Sequence, residues 1–203
     1  QGFLHNGIAV GGGKVFCLDA FPPRLREILR LSGRPPARPR LMALDAHKGT
    51  VIWSTEKNVF GTWLGYSEEH DALLQAKRPS RDSVDGSSGR RLSVFRGRDG
   101  ELLWDKDVKY YGGPCLLHGD RVITQGRDCK GEAFRLLTGS TVTWANPITG
   151  KPVRWRFRRS YGCGTAVASR HLLTFRSGAA GYFDLLRNGG TGNLGGFSEL
   201  RQW

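Results

Sequence analysis

Cysteine is the residue type whose spacing says most about possible chemistry in this chain. The four cysteines are Cys17, Cys115, Cys129 and Cys163. None forms a Cys-x-x-Cys pair or directly precedes histidine, as covalent haem attachment requires, and structural zinc sites normally use close-spaced ligand pairs. Two interpretations stay open: two disulfides if the protein is exported, or ordinary buried thiols.

Two glycine-rich stretches share the composition of nucleotide-binding loops but lack their context. Residues 190–195 read Gly-x-Gly-x-x-Gly, yet a dinucleotide site also needs a following helix and a second parallel strand. Residues 11–14 read Gly-Gly-Gly-Lys and precede Val15, so the Ser or Thr of a phosphate-binding loop is missing. We expect a flexible loop between strands at 190–195 and a tight turn at 11–13.

Histidine and acidic side chains fall in predicted turns. They include His47, His70, His118, His171, Asp45, Glu68, Glu69 and Asp99. We expect the histidines to be solvated turn side chains, and the sequence contains neither Gly-x-Ser-x-Gly nor His-Glu-x-x-His. The sequence therefore presents no catalytic constellation.

The chain is strongly basic, with a formal net charge of +13 and a pI near 10.2. A charge of this sign favours anionic partners such as nucleic acid, acidic glycans or anionic lipid. The arginines are spread over the whole length, whereas nucleic-acid sites are usually clustered and interleaved with aromatic residues. We expect no sequence-specific nucleic-acid binding and, without an apolar run of about 20 residues, no membrane span.

Short strands joined by tight turns must position these residues. Gly accounts for 29 of the 203 residues and Pro for 9, a composition that favours an all-β fold. The predicted strand pairs are 7–10 with 14–18, 63–66 with 72–76, 115–117 with 121–124, and 166–168 with 172–175. Two insertions interrupt the pattern. Residues 21–40 are rich in Pro and Arg, with a possible helix at 25–31, and residues 77–91 form a polar loop.

A Gly-then-Trp signature recurs along the chain. Trp53, Trp104 and Trp155 are separated by 51 residues in both intervals. Each tryptophan follows a glycine-containing turn, at Gly49, Gly100 and Gly150, and each segment reads as a β-hairpin. Such hairpins cannot bury both faces alone, so the period predicts stacked units.

The segment Ala43-Leu44-Asp45-Ala46-x-x-Gly49-x-x-x-Trp53 resembles the repeat of the pyrroloquinoline-quinone (PQQ)-like, or quinoprotein-like, β-propellers. The second copy keeps Gly100 and Trp104, and the third keeps Gly150 and Trp155 around one extra residue. The resemblance implies an incomplete β-propeller of four-stranded antiparallel blades, with about three blades and part of a fourth. The implied blades are 1–56, 57–107, 108–158 and 159–203.

In this family the tryptophan docks on a neighbouring blade beside such a glycine. The resemblance therefore implies a structural role, docking between blades, for the signature residues. They are Ala43, Asp45, Gly49, Trp53, Gly100, Trp104, Gly150 and Trp155.

For function, the resemblance implies a non-enzymatic binding or assembly module, as in the propellers of outer-membrane assembly lipoproteins, in a periplasmic or otherwise exported protein. A protein partner is then expected, with no cofactor, and the basic stretch containing Arg34, Arg38 and Arg40 is the candidate binding loop. One alternative is a fragment of a PQQ-dependent alcohol or sugar dehydrogenase, which would bind the quinone with Ca²⁺. No vicinal Cys-Cys pair, found in several of those enzymes, occurs here. The other alternative is a polyanion-binding domain, whose affinity would fall steeply with salt.

Overall fold

The chain folds into two compact units, Gln1–Val108 and Lys109–Trp203. The structure is a computed structural model that describes residues 3–34, 36–60, 63–76, 91–108, 115–125, 130–158, 165–177 and 179–194. Most of the second predicted insertion (77–90) lies outside the described residues, as do Cys129 and Cys163.

The first unit contains two four-stranded antiparallel sheets and one helix. Sheet 1 is formed by β1 (Phe3–Gly11), β2 (Lys14–Asp19), β3 (Arg40–Asp45) and β4 (Val51–Thr55), in that order. Sheet 2 is formed by β5 (Trp63–Ser67), β6 (Ala72–Ala76), β7 (Arg91–Arg96) and β8 (Leu102–Asp107), again in chain order. The helix α1 (Pro23–Leu31) lies between β2 and β3 in the sequence.

The second unit contains two more four-stranded sheets and a separate hairpin. Sheet 3 has the order β14-β11-β10-β9, with β9 (Leu116–His118), β10 (Arg121–Ile123), β11 (Lys130–Arg135) and β14 (Arg156–Arg158). Between β11 and β14 the chain forms the hairpin of β12 (Thr143–Ala145) and β13 (Pro152–Arg154). Sheet 4 is formed by β15 (Val167–Ala168), β16 (Leu172–Ser177), β17 (Ala179–Asp184) and β18 (Gly189–Leu194).

Each unit buries an apolar layer between its two sheets. Strand side chains alternate between faces, so every second residue of sheet 1 points at sheet 2. The layer in the first unit consists of Phe16, Leu18, Leu41, Ala43, Leu64, Leu73 and Phe95, with Ala9, Trp53, Val59 and Tyr66 packed against it. Sheets 3 and 4 enclose a more aromatic layer around Trp155, Phe157, Phe175 and Phe183.

The predicted strand pairs are confirmed in position, and the fourth sheet differs from the prediction in one respect. The Gly-x-Gly-x-x-Gly stretch is not a loop, because residues 189–194 form β18, which pairs with β17 along its length. Glycine residues weaken a strand, but backbone hydrogen bonds to the neighbouring strand β17 stabilise β18 within the sheet. The part of a fourth blade predicted from the sequence is thus a sheet of four strands.

Candidate functional site

The turn that closes the first repeat is built by Asp45 and Gly49. Gly49 N–H donates to the carbonyl of Asp45 at 2.9 Å, and the Asp45 carboxylate accepts from the backbone N–H groups of His47 (2.9 Å) and Lys48 (2.8 Å). These backbone donors lower the pKa of Asp45 below its usual value. Gly49 has φ +68°, a left-handed conformation in which glycine avoids Cβ strain.

A turn whose fifth residue is left-handed follows the third strand of every sheet. Its left-handed residue is Gly49 in sheet 1, Gly100 (φ +74°) in sheet 2, Gly139 (φ +66°) in sheet 3 and Asn188 (φ +50°) in sheet 4. In sheet 4 Asp184 is the counterpart of Asp45, because its carboxylate accepts hydrogen bonds from the backbone N–H groups of Leu186 and Arg187. The recurrence of this turn after the third strand of all four sheets is the pattern expected of copies of one structural unit.

A β-bulge follows the turn and places the tryptophan on the inner face of sheet 1. Leu44 pairs with Val51, and Ala43 with Trp53, so Ile52 is the extra residue. Sheet 2 repeats this register, with Val94 opposite Trp104 and Leu103 as the extra residue. The bulge turns the tryptophan to the face of its Ala or Val partner.

The indole of Trp53 lies on the turn of sheet 2. Its Nε1–H donates to the carbonyl of Gly97 at 2.8 Å. A Cβ at Gly100 would lie 2.7 Å from Cε3 and 2.8 Å from Cδ2 of Trp53. The ring therefore covers a peptide surface that any side chain would block, and the indole contact joins sheet 1 to sheet 2.

A cluster of polar side chains flanks this contact. Tyr66 Oη–H donates to Asp71 Oδ1 at 2.7 Å, and the other Asp71 oxygen accepts from Arg98 N–H at 3.0 Å. Lys14 Nζ of sheet 1 lies 3.9 Å from the Asp71 carboxylate. Desolvation and, secondly, the bond to Asp71 raise the pKa of Tyr66 above its usual value. The cluster thus adds a polar link between sheets 1 and 2.

The third repeat is divided by an insertion, and here the structure differs from the sequence prediction. Gly150 does not end the turn of sheet 3; it lies in the turn between β12 and β13, where its N–H donates to Asn146 O at 2.8 Å. The turn of sheet 3 ends at Gly139, whose N–H donates to Arg135 O at 2.8 Å. Residues 143–154 are therefore an inserted hairpin. The sequence does contain a signal for the turn at Gly139, because residues 133–139 begin with Ala and end with Gly at the seventh position, as residues 43–49 do.

Trp155 nevertheless contacts the next turn, as Trp53 does. The chain rejoins sheet 3 directly after the insertion, with Trp155 N–H donating to Val142 O at 2.8 Å. The indole is 1% exposed, and its Nε1–H donates to Asn188 Oδ1 at 2.9 Å. Phe183 meets it edge-on, with ring centroids 5.3 Å apart. Sheet 4 continues the pattern only partly, because Gly192 stands at the register position of the tryptophan.

The helix of the basic insertion is defined by its two ends. Pro23 occupies the first turn, where a missing N–H costs nothing. At the other end Gly33 (φ +73°) donates to Arg30 O, and Arg34 N–H donates to Leu29 O at 2.9 Å, the paired bonds of a Schellman cap. The possible helix at 25–31 is confirmed and begins two residues earlier.

Helix α1 presents large apolar side chains to the surface. Leu25, Ile28 and Leu31 are 40%, 52% and 71% exposed. Their spacing of three residues places them along one stripe of the helix. The helix makes only sparse contacts with the strands, so this stripe has no partner among the described residues.

The three arginines of the predicted binding loop lie in different environments. Arg34 and Arg38 are exposed and form no ion pair among the described residues. Arg40 instead begins β3, and its guanidinium donates to the Asp19 carboxylate of β2 at 2.6 Å. Arg40 is therefore a cross-strand structural residue, while Arg34 and Arg38 follow α1 in the chain and are exposed.

The described residues do not bring together ligands for a metal. No group of three or more His, Cys, Asp or Glu that could hold an ion occurs in the part of the chain that the structure describes. Cys17 and Cys115 are free, buried thiols, and burial raises the pKa of both. No helix within the described ranges is long and apolar enough to cross a membrane.

Solved structures with this fold include several β-propellers. The chain is similar to BamB from Moraxella catarrhalis, with a TM-score of 0.56 and 17% identity, over 91% of this chain and 47% of that one. It also aligns with a quinohemoprotein alcohol dehydrogenase from Pseudomonas putida HK5 (TM-score 0.44, 14% identity, 76% and 20% coverage). A third match is a europium-containing methanol dehydrogenase (TM-score 0.42, 16% identity, 68% and 23% coverage). No family model and no curated protein sequence matches the chain.

The similarity to BamB and the four repeated sheets identify the fold of this protein. It has the fold of the PQQ-like, or quinoprotein-like, β-propeller repeat. The chain spans about half of the BamB structure that it matches, 47%.

Proposed function

We propose that this chain is part of a non-enzymatic PQQ-like repeat propeller that binds a partner protein through its basic insertion. The binding surface, termed here the α1 surface, comprises Leu25, Ile28 and Leu31 together with Arg34 and Arg38. One observation carries the proposal: a helix of nine residues leaves three large apolar side chains exposed and makes little use of them for packing.

The energetic argument starts from the exposed apolar area. Covering a leucine or isoleucine side chain contributes about 1.5–3 kcal/mol, so three half-exposed residues offer several kcal/mol to a partner. A capped helix also loses little conformational freedom on binding. A soluble protein rarely aligns such side chains without a partner for them.

The charge of the α1 surface selects the partner. Residues 21–40 contain six arginines and one acidic residue, Glu27. Glu27 is paired with Arg30 at 2.7 Å, while Arg34 and Arg38 remain open to solvent. A partner with an apolar groove bordered by Asp or Glu matches this surface, and the charges would speed its association.

The cellular setting that fits this proposal is the periplasm or another exported location. Its support is the resemblance of the Ala43–Trp53 repeat to quinoprotein-like propellers, a family that includes binding modules of bacterial envelopes.

The test is a charge reversal on the α1 surface with a matched control. The Arg34→Glu/Arg38→Glu variant should retain little of the partner that co-purifies from cells that naturally make the protein. Arg40 is left unchanged because its loss would break the ion pair with Asp19. Reversal of two exposed basic residues on the inserted hairpin, Lys151→Glu/Arg154→Glu, should leave the yield of partner intact. Equal yields from both variants would exclude the α1 surface as the contact.

A further inference from the structure

Strand β14 and the two residues before it alternate between buried aromatic and exposed basic side chains. Trp155 and Phe157 are 1% and 3% exposed and belong to the apolar layer between sheets 3 and 4. The alternate positions are Arg154, Arg156 and Arg158, all of which are exposed. Because side chains alternate between the two faces of a strand, the arginines point away from the apolar layer. We call these three residues the arginine strip.

The two buried aromatic residues hold the backbone of the arginine strip in place. Phe157 occupies the space that a Cβ at Gly131 of β11 would need, and its ring centroid lies 6.0 Å from that of Trp155. Residues two apart along a strand are separated by about 6.4–6.8 Å, so the strip is a row of three evenly spaced basic side chains. A ligand therefore meets positive charges whose backbone is ordered before binding.

The corresponding strand of sheet 2 carries charges of the opposite sign. The first and third residues after the signature tryptophan are Asp105 and Asp107 in sheet 2, and Arg156 and Arg158 in sheet 3. In sheet 2 the acidic residues match a cation on the neighbouring strand, because Arg91 lies opposite Asp107 and forms an ion pair with Asp105. The fold itself therefore does not require basic residues at these two positions.

In sheet 3 the change of sign places two cations opposite each other. Arg158 lies opposite Lys130 of β11, and like charges in this position on neighbouring strands are destabilising. Arg156 lies opposite Glu132, whose carboxylate is 3.5 Å away and whose side chain is 8% exposed. Neither Arg154 nor Arg158 forms an ion pair with another residue in the described ranges. Residues that break a local rule of stability in this way are expected at functional sites.

We propose that the arginine strip binds an acidic polysaccharide, a ligand that carries carboxylate or sulfate groups along an extended chain. The chain would run along β14, and each guanidinium would donate a pair of hydrogen bonds to one anionic group. Its negative charge would also offset the repulsion between Lys130 and Arg158. Residues 151–158 contain four basic residues in eight, and basic segments of this length bind nucleic acid or heparin-like polysaccharides.

The arrangement of the strip favours a polysaccharide over a nucleic acid. Single-stranded nucleic acid is held by aromatic side chains on which its bases stack, in addition to basic residues that follow its backbone. The aromatic residues that alternate with the strip, Trp155 and Phe157, are buried on the opposite face, so they offer no surface to a base. An acidic polysaccharide binds through charge and hydrogen bonds, which are the interactions that the strip provides.

The arginine strip differs from the α1 surface both in its residues and in its ligand. The α1 surface combines apolar side chains with Arg34 and Arg38 to bind a protein, whereas the strip has only basic side chains on its exposed face. Changes at Arg34 and Arg38 therefore test the protein partner, and changes at Arg154 and Arg158 test the polysaccharide. Failure of one proposal is distinguishable from failure of the other.

The test compares two variants of the 203-residue chain that have the same net charge, with heparin as the probe. Arg154→Gln/Arg158→Gln should weaken heparin binding about tenfold or more at physiological salt, and the slope of log affinity against log salt should fall in magnitude by about two. Arg156 is left unchanged because it pairs with the Glu132 carboxylate. The control, Arg34→Gln/Arg38→Gln, should bind heparin as the parent chain does. Equal losses in the two variants would show that heparin responds to net charge alone and would overturn the proposal.

Two further measurements address folding and the class of ligand. Arg158→Gln alone removes one member of the repulsive pair with Lys130, so it should not lower the melting temperature. If the double variant folds poorly, this single variant carries the comparison, with Arg38→Gln as its control and an expected change in slope of about one. A single-stranded oligothymidylate should bind more weakly than heparin. Tighter binding of the oligonucleotide that is lost in Arg154→Gln/Arg158→Gln would assign the strip to nucleic acid and overturn the proposal.

Discussion

The contact between Trp53 and Gly100 gives the sharpest test of how neighbouring blades are joined. Alanine at position 100 would adopt φ +74°, which costs a residue with a Cβ about 1–2 kcal/mol. Its Cβ would also lie 2.7 Å from the Trp53 ring, so the indole must move. Displacing a well-packed group costs about 1–3 kcal/mol, and losing the bond to Gly97 adds about 1 kcal/mol. We expect Gly100→Ala to destabilise the protein by about 3–6 kcal/mol.

The matched control is Gly49→Ala. Gly49 shares the turn geometry, with φ +68°, but nothing lies within 4 Å of its Cβ position. Only the backbone term of about 1–2 kcal/mol applies to it. The difference between the two variants, about 2–4 kcal/mol, is therefore the contribution of the indole contact.

The measurement is urea unfolding followed by circular dichroism, with midpoints compared between variants. In a Trp53→Leu background the cost of Gly100→Ala should fall to that of Gly49→Ala, because no ring remains to be displaced. Equal costs for the two glycine variants in the parent chain would refute the docking role of Trp53.

Four further outcomes are expected. Gln75→Leu should cost about 2–3 kcal/mol in urea unfolding, because the fully buried amide bonds two backbone groups, at 2.7 and 3.3 Å. Asn188→Gly keeps the left-handed turn but removes the acceptor of the Trp155 indole N–H, and should cost about 1 kcal/mol in the same assay. The hydrogen bond from Arg91 lowers the pKa of Asp105. The Arg91–Asp105 pair therefore stabilises the fold above about pH 4, and this stabilisation is lost when acid protonates the carboxylate. Arg91→Met should destabilise the protein more at pH 7 than at pH 2. Added quinone and Ca²⁺ should produce no dye-linked alcohol or sugar oxidation.

The strands and the first repeat could be predicted because their signals are local. Alternating apolar residues mark strands, and a glycine that tolerates positive φ marks the turn of each hairpin. The segment from Ala43 to Trp53 contains both the turn and the tryptophan in eleven consecutive residues, so the sequence alone locates both. The bulge at Ile52 is seen only in the strand pairing.

The third repeat could not be located in this way because its parts are separated along the chain. Residues 143–154 form their own hairpin and contain a second glycine turn at Gly150, which restores the spacing to Trp155. Only strand pairing shows that Gly139 ends the turn of sheet 3 while Trp155 supplies the indole. The partner of that indole, Asn188, is 33 residues away and carries no local signal.

The candidate binding surface was predicted in part. The composition of residues 21–40 indicates a basic segment, and the ion pair of Arg40 with Asp19 depends on the pairing of β2 with β3. The exposure of Leu25, Ile28 and Leu31 depends on the tertiary contacts of the helix, which a local sequence pattern does not predict.

Site-specific photo-crosslinking tests the central claim, partner binding through α1, most directly. A photoreactive residue at Ile28 in the native context should give one discrete adduct with a partner protein, and Arg34→Glu/Arg38→Glu should remove it. The control position is Ile148, an apolar residue that is 91% exposed in the inserted hairpin, and it should give no such adduct. Adducts of equal intensity at both positions, or none at Ile28, would contradict the account.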